Sequence, residues 1–173
     1  LPSRNGGALS DRVATHVLKY IEPNYKSYSW LDRGSDERQF CSPGVDLPIA
    51  TIMRSKYSEY PEYHTSLDNL SLISPKGLEG GFEVLKKTIY LLETNSHFMS
   101  LISCEPQLGK RGLYPNLSTK ETFKKTRTMM NILAYADGTI DLIDLANTIQ
   151  EEVNTLIPII KVLLDAKLIK EIN

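Results

Sequence analysis

Cysteine is scarce: the chain holds two, Cys41 and Cys104. They are too few for a disulfide framework, and neither belongs to a Cys-x-x-Cys pair. Both therefore read as buried thiols of a reducing compartment, with the cytoplasm as the default location. Long hydrophobic runs are missing as well. No stretch approaches the roughly 20 apolar residues of a bilayer span, and no basic-then-apolar signal segment opens the sequence. Net charge is almost nil, with 20 Lys and Arg against 21 Asp and Glu. That balance argues against a polybasic nucleic-acid binder or a charge-driven membrane-surface protein. What is present is an ordinary globular mixture, 41% hydrophobic over 173 residues, enough for one domain plus a small module. The first residue is Leu1, not Met, so the sequence reads as a processed or excised piece of something longer.

Hydrophobic spacing organises the chain. Leu9, Val13, Val17 and Tyr20 recur at helical intervals, predicting a helix from about Gly7 to Tyr20, with Ser10 and Asp11 as polar groups at its start. The alternating run Ser27-Tyr28-Ser29-Trp30-Leu31 predicts a strand. Leu47 to Met53, apolar and β-branched between two loops, predicts a buried strand. Ser74-Pro75 pairs a capping residue with a proline suited to the first helical position. From there Leu78, Phe82, Leu85, Ile89 and Leu92 keep the 3.6-residue period to about Thr94. Residues 105–125 are basic and hold Pro106, Gly109, Gly112 and Pro115, the composition of a connector. Three short helical patterns follow, on Met129–Ala136, Leu142–Ile149 and Leu156–Leu164. Asp137-Gly138 stops the first of them, and Pro158 is tolerable only in the first turn of the third. Leu168–Ile172 then alternates like a strand. Three helices and a closing strand in about fifty residues resemble a winged-helix module.

The polar residues suited to chemistry cluster on two loops flanking the 47–53 segment. One is Gly34-Ser35-Asp36-Glu37-Arg38. The other is Tyr63-His64-Thr65-Ser66-Leu67-Asp68-Asn69. Loops at strand ends are where α/β proteins gather their sites. Carboxylates there can hold a cation or move a proton, and a neutral imidazole is a common zinc ligand. Asp68, four residues after His64, is placed to accept a hydrogen bond that orients a ring or a turn. A zinc site needs three or four protein ligands, however. His16 lies on a predicted helix and His97 in an apolar run, and neither is spaced to chelate with His64. By composition alone, a solvated charged turn describes Asp36-Glu37-Arg38 equally well.

The same stretches, with Pro43-Gly44-Val45-Asp46-Leu47-Pro48 between them, resemble the closing segment of the zinc-dependent aminopeptidases and their glutaminyl-cyclase relatives. The resemblance is nearer still to a bacterial aminopeptidase-like family often associated with polysaccharide-biosynthesis loci. It extends over Glu59-Tyr60-Pro61-Glu62-Tyr63-His64-Thr65, Glu105–Tyr114 and the winged-helix tail. It implies that His64 ligates zinc and that Asp36 lies beside the metal ligands or assists the catalytic network. Next to these, Glu37 is a second candidate catalytic residue, Arg38 and Tyr63 are candidate contacts to a peptide or amino-acid-containing substrate, and Asp68 is a candidate support for the metal ligand. Glu37-Arg38 stands where relatives carry His, so the substrate pocket is expected to differ. The family's other ligands and its general base would come from an upstream part of the same protein, leaving this chain inactive alone.

The expected architecture is thus α/β: the C-terminal part of a zinc-peptidase-like mixed-sheet domain over 1–104, a basic connector over 105–125 and a winged-helix module over 126–173. Other classes stay open: a winged-helix nucleic-acid-binding or regulatory protein, and a non-catalytic binding protein on a peptidase scaffold. Residues 126–173 carry four basic and seven acidic side chains, which weighs against nucleic acid. Homo-oligomers are left open. Gly109–Tyr114 offers backbone and basic groups to an anion, although a packed linker is the favoured reading.

Overall fold

The computed structural model describes residues 1–114 and 120–172, the side chains of Lys120 and Glu121 excepted. It divides into two compact units, Leu1–Leu92 and Glu93–Asn173.

The first unit opens with α1 (Leu9–Ile21), whose inward residues are Val13, His16 and Val17. The Asp11 carboxylate accepts the Ala8 amide at 3.0 Å and also binds the amide and hydroxyl of Ser3. One acid thus satisfies a helix-start donor and ties down the preceding segment. Ser10, the other polar group at this start, donates instead to the Pro48 carbonyl. His16 packs its ring 5.1 Å from Tyr20. A short helix, α2 (Ser35–Phe40), follows. The long helix α3 (Pro75–Thr94) begins where the Ser-Pro pair predicts, with the Ser74 hydroxyl accepting the Gly77 amide at 3.1 Å. Its apolar stripe, however, faces outward: Leu78, Phe82, Leu85 and Ile89 are exposed, and Leu91 is its buried residue.

Neither strand expected in this unit forms. Residues 27–29 run into a 3-10 turn at Trp30–Asp32, because local polar groups capture the backbone. The Ser29 hydroxyl accepts the Leu31 amide and the Asp32 carboxylate accepts the Ser29 amide. Residues 47–53 lie outside any sheet and are exposed to half-buried. Their β-type pairing is with Leu1, which exchanges two backbone bonds with Thr51 at 3.0 and 2.9 Å. A strand is defined by its neighbour, and among the described residues this segment has no other.

The second unit is a three-stranded antiparallel sheet with helices packed on it. Its elements are β1 (His97–Ser100), α4 (Lys120–Tyr135), β2 (Asp137–Asp141), α5 (Leu142–Thr148), α6 (Val153–Asp165) and β3 (Ile169–Ile172). Strand order is β2-β1-β3, with Phe98 opposite Glu171 and His97 opposite Asp141. The α5 and α6 periods and the final strand fall close to where the sequence predicts, but α4 begins at Lys120, nine residues before the expected Met129 and inside the expected connector. Two strands are additional: the Asp137-Gly138 helix stop opens β2, and the apolar run with His97 is the central β1. Residues 93–104, expected with the first domain, and the 105–125 connector therefore lie in this unit. Pro158 sits in the second turn of α6, not the first. The helix absorbs it because Leu156, Ile159, Ile160 and Leu163 anchor its apolar face in the core. Within the connector, Leu108–Arg111 forms a 3-10 turn with Leu108 buried and Lys110 and Arg111 exposed. Pro115 and the four residues after it lie outside the described residues.

The cysteines are free and differ: Cys41 is buried, whereas Cys104 is exposed. Cys104 follows β1 in a bend that no helix or strand covers, so the expectation of two buried thiols holds for Cys41 only.

Candidate functional site

The two candidate loops are joined by tyrosines. Gly34 precedes α2, and its amide donates to the Tyr57 hydroxyl at 2.5 Å, while that hydroxyl donates to the Asp32 carbonyl at 3.2 Å. The Tyr57 ring lies 6.3 Å from Tyr63, and Tyr63 stacks on His64 at 4.0 Å and 17°. Tyr60 meets Tyr63 edge-on at 5.6 Å. A chain of rings therefore runs from the start of α2 to the imidazole of His64. Lys56 adds a cation over Tyr57 at 4.8 Å.

Both loops carry residues in the left-handed backbone region: Ser35 at φ 59° and His64 at φ 59°. Such conformations cost energy in residues other than glycine and concentrate at functional positions. The His64 turn is closed by Thr65, whose hydroxyl donates to the Glu62 carbonyl at 2.8 Å and accepts the Leu67 amide at 3.2 Å. His64 and Asp68 are both exposed. Among the described residues Asp68 makes no hydrogen bond to His64; its charge acts on Tyr60, whose hydroxyl is held above its ordinary pKa chiefly by burial.

On α2 the three charged candidates diverge. Asp36 is exposed in the first turn, where a negative charge suits the helix N-terminus. Arg38 is exposed and donates to the Arg33 carbonyl at 3.1 Å. Glu37 points inward and accepts the Thr51 hydroxyl at 2.7 Å. Burial pushes its carboxyl up, but the Thr51 bond, its own backbone amide and the Arg33 guanidinium together hold it below the usual carboxylate range. Glu37 is accordingly a charged carboxylate at neutral pH, better suited to holding a cation than to donating a proton.

Arg33 is the residue that sequence reasoning missed. Its side chain is fully buried and donates to Thr51 Oγ1 at 3.0 Å and to the carbonyls of Leu1, Pro2 and Ile49 at 2.9, 2.6 and 3.1 Å. Its face lies 5.1 Å from the Trp30 ring. An arginine directly before Gly34 in a charged loop looks like any solvated cation, and only the fold shows it collecting three carbonyls. Two buried polar atoms here, Arg33 Nε and Glu37 Oε2, have no hydrogen-bond partner among the described residues.

Zinc is the metal implied by the family resemblance, so the donor set can be tested against it. Among the described residues no group of three or more His, Cys, Asp or Glu side chains could hold a metal ion. His64 stands alone as an exposed imidazole. The described residues do not by themselves make a zinc site.

The first unit thus presents two loops joined through aromatic rings, and a three-stranded antiparallel sheet with helices packed on it follows in the chain. Comparison with known proteins carries the assignment further. Residues 1–95 match the family described as Domain of unknown function (DUF4910), and residues 97–171 match the winged helix-turn-helix family. The chain belongs to the DUF4910 family. It is 37% identical over 143 residues to a Clostridium acetobutylicum protein named for polysaccharide biosynthesis and an aminopeptidase-like domain. That alignment covers 82% of this chain and 33% of the relative. A Clostridium acetobutylicum chain whose crystal structure bears the name of a peptidase superposes with a TM-score of 0.84 at 32% identity. The superposition covers 99% of this chain and 38% of that one. The chain thus spans about a third of the length of the relatives it matches.

Proposed function

We propose that this chain is the carboxy-terminal portion of a zinc-dependent aminopeptidase-like hydrolase, cleaving a peptide or amide bond near a free amino terminus. The observation that carries the reading is His64: an exposed imidazole on a left-handed backbone, stacked on Tyr63 and linked through Tyr57 to the Gly34 loop. In this reading His64 is one metal ligand and the remaining ligands and general base come from another part of the same polypeptide. Bound zinc would supply an activated water. Glu37, charged and anchored by Thr51, presents a negative group to a cationic substrate end, while Tyr63 fixes the plane of the imidazole. Asp36 and Arg38 stand at the solvent side of α2. With one ligand of the set, residues 1–173 are inactive alone. The proposed setting is the cytoplasm; among the described residues no helix is long and apolar enough to cross a membrane.

The winged-helix module fits a packing or protein-binding role better than DNA recognition. The exposed side chains of α6 are Thr155, Pro158, Lys161 and Asp165, one cation against one anion where phosphate contact needs several cations.

Metal analysis of a polypeptide of the relatives' length, with and without His64→Ala, tests the assignment. The expected result is stoichiometric zinc in the parent and at least a tenfold loss of occupancy in the variant, since one ligand in a set of three or four is removed. Unchanged occupancy would refute the ligand role of His64.

A further inference from the structure

The two units are opposite in how they treat apolar side chains. Among the described residues the second buries sixteen hydrophobic residues and exposes four large ones; the first buries four and exposes sixteen. A unit of this size that folds around its own core does not expose most of its large apolar residues. The exposed set is also ordered. Leu78, Phe82, Leu85 and Ile89 form one stripe along α3, the pattern of a helix face built to be covered.

After the Ile49 amide turns back to the Leu47 carbonyl, the segment 49–53 is unfinished on one edge. Thr51 exchanges both backbone bonds with Leu1, and the Ile49 carbonyl accepts from Arg33. Alternate residues of an extended chain point their amides and carbonyls to opposite edges. Ala50 and Ile52 therefore face the other edge, and none of their backbone groups is bonded among the described residues. The unpartnered Arg33 Nε and Glu37 Oε2 belong to side chains bonded to this same segment. Beside it an open cleft of about 1090 Å³ is walled by Leu18 and Ile21 of α1 and by Val84 and Leu85 of α3. That is larger than most small-molecule sites, which run roughly 300–1,000 Å³, and suits packed polypeptide.

We propose that residues 49–53 are an edge strand awaiting a sheet, and that the occupant is the remainder of the same aminopeptidase-like domain. One of its strands pairs with Ala50 and Ile52, and its apolar face covers α3. The inference rests on reading the chain as the carboxy-terminal portion of a longer protein. In its support, the solved relative holds this fold as 38% of a longer chain. A second copy of this chain is the rival occupant. It could cover the α3 stripe but brings, among the described residues, no sheet in its first unit to extend.

The test is to co-express residues 1–173 with the preceding region of a relatives'-length polypeptide as a separate chain. A two-chain complex is expected, with amide exchange at Ala50 and Ile52 slowed about 100-fold or more relative to residues 1–173 alone. Phe82→Asp with Leu85→Asp should abolish the complex and leave the melting of 1–173 unchanged, since both side chains are exposed in it. No complex, a complex indifferent to those substitutions, or a self-dimer that they dissolve would each overturn the proposal. His64→Ala should leave the complex intact. A complex whose zinc is also unaffected by His64→Ala would sink the metal assignment while sparing the interface.

Discussion

Arg33 is the strongest single tie in the first unit, and Arg33→Met measures it. The guanidinium donates four hydrogen bonds, three of them to backbone carbonyls from segments distant in sequence, at 2.6–3.1 Å. Methionine keeps much of the buried volume and removes every donor. The carbonyls of Leu1, Pro2 and Ile49 then lose a charged partner, and Glu37 loses its nearby cation. Net values of about 1.5–3 kcal/mol for each bond to a charged group do not add fully. The loss from a broken buried charged network is about 3–5 kcal/mol. Glu37 adds little, because its carboxylate is partly solvated. For a unit of this length that corresponds to a fall in melting temperature on the order of 15 °C.

The chain supplies its own probe. Trp30 is the sole tryptophan and lies against Arg33, so its fluorescence follows the first unit, whereas far-ultraviolet circular dichroism follows both. Arg33→Met should lower the fluorescence midpoint and leave a second dichroism transition, that of the winged-helix unit, in place. Arg33→Lys should recover less than half of the loss, since an ammonium cannot span four acceptors in a fork. A shift below about 1 kcal/mol in Arg33→Met, or full rescue by lysine, would refute the view that the fork holds these segments together.

Two further outcomes follow from the geometry. Glu37 has a carboxyl held below its ordinary value, so the folded unit gains stability above the unfolded pKa and loses it as pH falls through the lower folded pKa. The Trp30 midpoint should drop on acidification below about pH 4.5, and Glu37→Gln should flatten that dependence; an unchanged slope in the variant would contradict it. In the second unit Gly138 sits at φ 85°, and a Cβ there would lie 2.7 Å from Ile172 Cδ1. Gly138→Ala should destabilise this unit by about 1–3 kcal/mol through strain and a clash with β3. Gly44→Ala, at φ 93° with open space, should cost less, and equal dichroism midpoints for the two variants would refute the clash.

What the sequence determined by itself was largely local. The 3.6-residue period and the Ser74-Pro75 start defined α3 nearly to the residue, because capping and periodicity act within a few positions. α1, α5 and β3 fall within two residues of their patterns, whereas α6 starts three residues and α4 nine residues ahead of theirs. The motif loops were legible too, since residue type and order carry the family resemblance without any coordinates. Tertiary structure decided everything that needs a partner. Leu47–Met53 has the composition of a buried strand and is not one here, because a ladder requires a neighbour that the described residues do not provide. His97 and Asp141, far apart in the chain, meet as register partners of a sheet whose central strand no local pattern announces. Arg33 reads as a surface cation until the fold buries it among carbonyls. Periodicity states that one face of α3 is apolar; only the fold shows that face turned to solvent. Burial is a property of the assembled surface, not of the segment, and that is why the sequence pattern could not say which way the stripe would face.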